Sequence, residues 1–194
     1  MKVIDINNLK LANAKFIYKE YTSTFPPPKV TYKHELPWNV VFERLWYPVL
    51  EPPVQSLMFL LVHNILPVRA RLKRLNMANS DKCLEEDDMV ADVEHVFCKC
   101  SRTREAWQWI RWKVTTDLIP VTFQIPSDFE LIHLCFESPN EKEIVWLIGS
   151  YVSLAWDFLH RSAGHLVVDR MKSELQQLYR ENQTSQNQLQ NLNF

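Results

Sequence analysis

The chain reads as mostly α: an irregular helical domain around a small cysteine/histidine knuckle, followed by a C-terminal pair of helices. Three observations carry that reading. Only two glycines occur in 194 residues, Gly149 and Gly164, so Asn-Gly and Asp-Gly hairpins are absent. Apolar residues recur at three- and four-residue spacing over long stretches, the period of a helix buried on one face. Cys83, His95 and Cys100 stand at metal-ligand spacing, a thiol, an imidazole and a thiol with four residues between the last two.

Residues 1–36 read as irregular, with a short helix over Lys10–Tyr21 stopped by Pro26-Pro27-Pro28, which forces an extended path. The region 37–115 then forms the knuckle-bearing helical domain. Trp38–Trp46 reads as a short helix through Trp38, Val41, Leu45 and Trp46, ended by Pro48 and Pro52-Pro53. Pro53 suits the first position of the next helix. Its run of Leu57, Met58, Leu60, Leu61 and Val62 is apolar on most faces, which makes it central. Asn64 and Pro67 break it, and a basic helix follows over Val68–Leu75. After the cysteine/histidine segment, Ser101 is expected to cap a helix carrying Trp107, Ile110 and Val114 on one face.

The region 116–181 reads as C-terminal helices packed on that domain. Thr115–Pro126 is a linker with strand character at Val121 and Phe123, and Ser127 caps a short helix through Leu131 and Leu134. Asn140 with Glu143 resembles a capping box that launches a helix to about Arg161. Ile144, Ile148, Tyr151, Ala155 and Phe158 form its core-facing stripe, and Gly164 ends it. A last helix runs from about Val167 to Tyr179 on Met171, Leu175 and Leu178. Residues 182–194, rich in Gln and Asn, read as a disordered tail.

Composition excludes several functions. Gly-rich phosphate loops are impossible, which removes nucleotide-binding Rossmann and P-loop readings. The net charge of −1, from 22 basic and 23 acidic residues, confines any nucleic-acid surface to a local patch. Ile144–Leu159 is too short and too polar for a membrane span. The N-terminus has no secretory pattern, because Asp5, Asn7 and Asn8 interrupt its apolar residues. The expected location is therefore intracellular, nuclear or cytoplasmic, where metal binding is commoner than disulfides.

A closed zinc site needs four donors. Cys83, His95 and Cys100 supply three, and Glu86 occupies the position, three residues after Cys83, where the fourth is expected. Asp87, Asp88 and Cys98 are the other candidates. The alternative is a metal-free knuckle with an acidic solvated loop. Arg69, Arg71, Lys73 and Arg74 concentrate positive charge on one helix, and Arg102 and Arg104 follow the last cysteine beside Trp107, Trp109 and Trp112. Such mixtures suit phosphate contact and base stacking, and equally a solvated helix face.

The segment resembles the zinc-binding region that follows the reverse transcriptase domain in non-LTR (LINE-type) retrotransposon polyproteins. That family has Cys-x2-Cys, a Glu-His pair with an apolar residue close behind, and His-x4-Cys; here stand Cys83, Glu94-His95, Phe97 and Cys100. Its flanks resemble Trp38–Trp46, His63-Asn64-Ile65-Leu66-Pro67, the basic helix Arg69–Leu75, and Ser101–Trp107. The resemblance covers roughly residues 13–115, and nothing beyond residue 119 matches a motif. The departure is Glu86 in place of the second Cys. The resemblance implies zinc as cofactor and a non-catalytic accessory role in gripping RNA or DNA, with Arg69, Arg71, Lys73, Arg74, Arg102 and Arg104 on phosphates. Polymerisation needs paired aspartates on strands to hold metal ions, and the one Asp-Asp pair, Asp87-Asp88, sits in an acidic loop. The alternative class is a metal-free helical protein-interaction domain that has lost nucleic-acid binding. No small-molecule substrate is evident.

Overall fold

The structure, a computed structural model, describes residues 36–161 and 168–192. The helix expected over Lys10–Tyr21, the proline run that follows it and Gly164 lie outside them. Seven α-helices are described: α1 Trp38–Leu45, α2 Pro52–Val62, α3 Arg69–Arg74, α4 Arg104–Lys113, α5 Asp128–Ile132, α6 Glu141–Arg161 and α7 Val168–Leu192. Two five-residue π-helical turns, His95–Lys99 and Val114–Leu118, flank α4. Among the described residues, β pairing is confined to the isolated antiparallel bridge Lys82↔Val90. The strand character expected at Val121 and Phe123 resolves into a turn closed by Phe123 N–H donating to the Pro120 carbonyl at 2.9 Å, with Val121 fully exposed.

Local chemistry explains where the helices start and stop. Pro52 and Pro53 open α2, where the absent N–H groups would lack partners anyway. α2 ends at a left-handed Asn64 (φ 52°), with Asn64 N–H on the Leu61 carbonyl and Ile65 N–H on the Leu60 carbonyl, a Schellman cap. α3 ends identically at Asn76 (φ 56°) and α5 at Leu134 (φ 58°). A glycine-poor chain thus uses asparagine, the next most tolerant residue, at two of these corners. Leu134 carries the strain of a branched side chain there because it is completely buried. The reciprocal capping box lies at Ser127 and Glu130 of α5. At α6 the expected box does not form: Asn140 Nδ2 donates to the Leu118 carbonyl at 2.8 Å, and Glu143 accepts from Tyr179 Oη at 2.8 Å instead.

α6 is the central helix. It packs against α2, α4 and α7, and Ile144, Val145, Leu147, Ile148, Tyr151, Val152 and Ala155 are all completely buried. Each such aliphatic side chain contributes about 1.5–3 kcal/mol through removal from water. Phe158, the last member of the expected stripe, is only half-buried. On α7, Met171, Leu175 and Tyr179 face the core, whereas Leu178, expected with them, is 40% exposed. α7 continues through the segment expected to be disordered, reaching Leu192. Gln183 Nε2 donating to Glu143, and Thr184 Oγ1 donating to the Arg180 carbonyl, bind polar side chains back to the fold and helix there.

Candidate metal centre

Three pieces of local structure bring the cysteine/histidine segment together. Cys83 N–H donates to the Met89 carbonyl and Ala91 N–H to the Asp81 carbonyl, each at 2.8 Å, which folds 81–91 into a closed loop around the Lys82↔Val90 bridge. Met89 N–H on the Glu86 carbonyl at 2.9 Å tightens its tip. His95 is set by Asp92, whose Oδ1 accepts the His95 backbone N–H at 2.8 Å as an N-cap would. Cys100 is set by the π-helical turn, in which its N–H donates to the His95 carbonyl at 2.7 Å. The extra residue of a π turn rotates the chain so that His95 and Cys100 meet on one side. That turn also delays the next helix, so α4 is capped at Thr103 and not at Ser101, and Thr103 Oγ1 donates to the Val96 carbonyl.

Ligand atoms of Cys83, His95 and Cys100 all lie within 4.8 Å of one another, and all three residues are buried. The two sulfurs stand 3.8 Å apart. A disulfide requires about 2.05 Å, whereas two thiolates on one zinc ion, each about 2.3 Å from it, stand roughly 3.8 Å apart. Both His95 ring nitrogens are buried without a hydrogen-bond partner. An unsatisfied buried nitrogen costs about 1–3 kcal/mol, so the imidazole is in a state that a bound cation would relieve. The donor set, two thiols and an imidazole, suits zinc. Burial pushes the Cys100 thiol up to about 11, with Cys83 beside it acting in the same direction. A divalent cation inverts that preference and holds coordinating sulfur as thiolate.

Cys98 lies outside this cluster. It is buried on the same π turn, but its thiol is pushed well up first by burial and then by the Asp128 carboxylate at the start of α5. Asp87 and Asp88 are exposed on the loop tip. Glu86 is the acidic residue drawn inward: its Oε1 accepts the Ser101 N–H at 3.1 Å, and its Oε2 is 3.6 Å from His95 Nε2.

The basic residues divide. Arg69 and Arg71 are half-buried, Arg71 donating to the Asn64 carbonyl at 3.3 Å. Lys73 and Arg74 are exposed, although Lys73 Nζ also reaches the Asn79 carbonyl at 2.9 Å. Arg102 stands 3.7 Å from Glu85, and Arg104 is exposed. α3 is joined to the knuckle by Ala70 N–H on the Ala91 carbonyl at 3.2 Å. Of the tryptophans, Trp107 is buried with its Nε1 on Asp128, Trp109 meets Tyr179 edge-on, and Trp112 is 54% exposed.

Sequence reasoning passed over Asp92 and Glu85, which position His95 and Arg102. The signal for Asp92 was present: an Asp three residues before the histidine, opening a short helical stretch.

Among the described residues no helix is long and apolar enough to cross a membrane. Residues 29–107, less than half of the chain, match the family model described as zinc-binding in reverse transcriptase. No curated protein and no solved structure matches the chain.

Proposed function

Because residues 29–107 match the family described as zinc-binding in reverse transcriptase, we propose that the chain is a non-catalytic accessory module that holds one zinc ion and grips nucleic acid. On this reading it is of non-LTR retrotransposon descent. The observation that carries the reading is the buried trio Cys83, His95 and Cys100, within 4.8 Å of one another around an imidazole with no other partner. Zinc bound there supplies no reaction step; it cross-links the loop 81–91 to the turn before α4, and so sets α3 and α4 relative to each other. Lys73, Arg74 and Arg104, the exposed cations of the basic set, then contact phosphates. Arg69, Arg71 and Arg102 orient the surface from below.

Two measurements test this. Purified protein is expected to contain about one zinc per chain, falling in Cys83→Ser. RNA binding is expected to weaken with salt, with log K falling by about 0.7 per phosphate contact for each decade of salt, so about 2 for three contacts. No zinc, or no binding at low salt, overturns the corresponding half of the proposal.

A second reading has its own support. Arg71, Lys73 and Arg102 are engaged with Asn64, Asn79 and Glu85, and the net charge is −1. Both facts favour a loss of nucleic-acid binding, as in a metal-free protein-interaction domain, for which binding is absent at every salt concentration.

A further inference from the structure

We infer that Glu86 supplies the fourth ligand, so that zinc in this chain is held by two cysteines, one histidine and one carboxylate. The inference rests on the zinc reading above and deepens it. Three observations meet at this carboxylate. Glu86 Oε2 is 3.6 Å from His95 Nε2, too far for a hydrogen bond. It is close to the spacing of two ligand atoms on one ion, since a nitrogen and an oxygen each about 2.1 Å from zinc stand roughly 3.4 Å apart. The other oxygen, Oε1, accepts the Ser101 N–H at 3.1 Å, and a ligating carboxylate held by a second hydrogen bond is the usual way such a group is oriented. The side chain is 27% exposed where the next residue, Asp87, faces solvent. The carboxylate stands beside a buried imidazole whose ring nitrogens have no hydrogen-bond partner, where a shared cation would join the two.

The consequence is a site of distinct chemistry. Two thiolates, one neutral imidazole and one carboxylate carry the same formal charge as three thiolates and an imidazole, but the oxygen is a harder and weaker donor for zinc. The ion is therefore held less tightly and exchanges more readily than in a three-thiolate knuckle, while the loop geometry is retained.

The test uses the full chain and three variants, with zinc affinity read by chelator competition and coordination read by the absorption of the cobalt(II)-substituted protein. Glu86→Gln keeps a side-chain oxygen for Ser101 but removes the charge, and is expected to weaken zinc binding by at least about tenfold, the lower end of what even outer-sphere changes cost. Glu86→Cys is expected to tighten binding and to raise the sulfur-to-cobalt charge-transfer band by about one half, as two thiolates become three. Asp87→Asn, next door on the loop and exposed at its tip, is expected to leave both readouts unchanged. If wild type binds one zinc and Glu86→Gln binds it equally well, Glu86 is not a ligand and the zinc reading stands without it. If wild type binds no zinc, the zinc reading itself falls. A Glu86→Cys protein that binds zinc normally, yet shows no added charge-transfer intensity, places the fourth ligand elsewhere and overturns the inference.

Discussion

His133 shows how one buried side chain couples this fold to acidity. It is 3% exposed at the end of α5, its Nδ1 is 2.9 Å from the Phe129 carbonyl, and its ring lies 4.2 Å from that of Phe129. Burial lowers its pKa from the ordinary 6.5 to about 4, against smaller opposing effects of the Phe129 carbonyl and Glu94. The folded state thus prefers the neutral ring, and the unfolded state binds the proton first. Its contribution is fully present above pH 6.5 and is lost as the pH falls toward 4. The gap is worth at most roughly 3 kcal/mol. In urea unfolding at pH 7 and pH 4.5, wild type is expected to lose more stability than His133→Phe, by a difference approaching that value. Zinc release in acid acts on both proteins and cancels in the comparison. Equal pH dependence of the two would show that His133 takes up its proton without unfolding. The histidine of the site differs in kind, because His95 has orphaned nitrogens whereas the His133 ring is satisfied by its own helix. Nothing in the sequence shows which of the two rings lacks a partner, because both partners are set by the fold.

At the scale of elements, the crossing of α2 and α6 depends on a single missing carbon. A Cβ placed on Gly149 would run into Leu50 Cδ2 and come within 3.1 Å of Val54 Cγ1, and Leu50 is itself buried. Gly149→Ala gains up to about 1 kcal/mol of helix propensity but incurs roughly 1–3 kcal/mol of overpacking. The net expectation is a loss on the order of 1 kcal/mol, seen as a fall in Tm of about 2–4 °C. In a Leu50→Ala background the Leu50 clash is gone and only the tighter-than-usual Val54 contact remains, so the same substitution is expected to cost less than in the wild-type background. A rise in Tm in the wild-type background would mean the helices yield without cost. The helices themselves were legible, because their apolar period and their prolines act locally: Pro52-Pro53, the Ile144-to-Ala155 stripe and the corner at Asn64 are all short-range signals. Two kinds of feature were not. The π turns at His95–Lys99 and Val114–Leu118 differ from α-helix by one residue of hydrogen-bond reach, which no apolar pattern encodes, and the first of them moved the N-cap of α4 from Ser101 to Thr103. The cap at α6 was misread because Glu143 has a distant partner, Tyr179, that outcompetes the local one. The metal trio was readable from spacing, whereas the inward turn of Glu86 depends on Ser101 across fifteen residues of chain.

Across the described residues, Cys83, Ala91 and Cys100 form a small cluster of their own, while the π turn beside them and α4 share a core with the C-terminal helices, although the family match ends at Trp107. Tyr151 of α6 donates its hydroxyl to the Phe97 carbonyl, inside the π turn that sets Cys100. Phe97 stacks toward Trp156 at 6.2 Å, and Trp107 meets Tyr151 at 5.3 Å. Phe97, Trp107, Ile110 and Val114 are buried to 1% exposure or less, and the helix and turn that carry the last three pack on α6, with α4 also against α7. Removing α6 and α7 returns these four side chains to water, at about 1.5–3 kcal/mol each. The sum, on the order of 10 kcal/mol, rivals the entire stability of an ordinary domain. Zinc binding in small knuckles is worth about 10–16 kcal/mol, enough to close the loop 81–100 locally but not to order helices whose apolar faces have lost their cover. A fragment of residues 36–118 is therefore expected to take up zinc, while giving poorly dispersed NMR spectra outside the knuckle and no cooperative thermal transition. Residues 36–192 should melt as one unit, with a Tm that falls when a chelator removes the metal. A well-dispersed, cooperatively melting 36–118 fragment would show that the helices beyond residue 118 are an appendage, and that the contacts of Tyr151 with the π turn contribute nothing to holding the metal ligands in place.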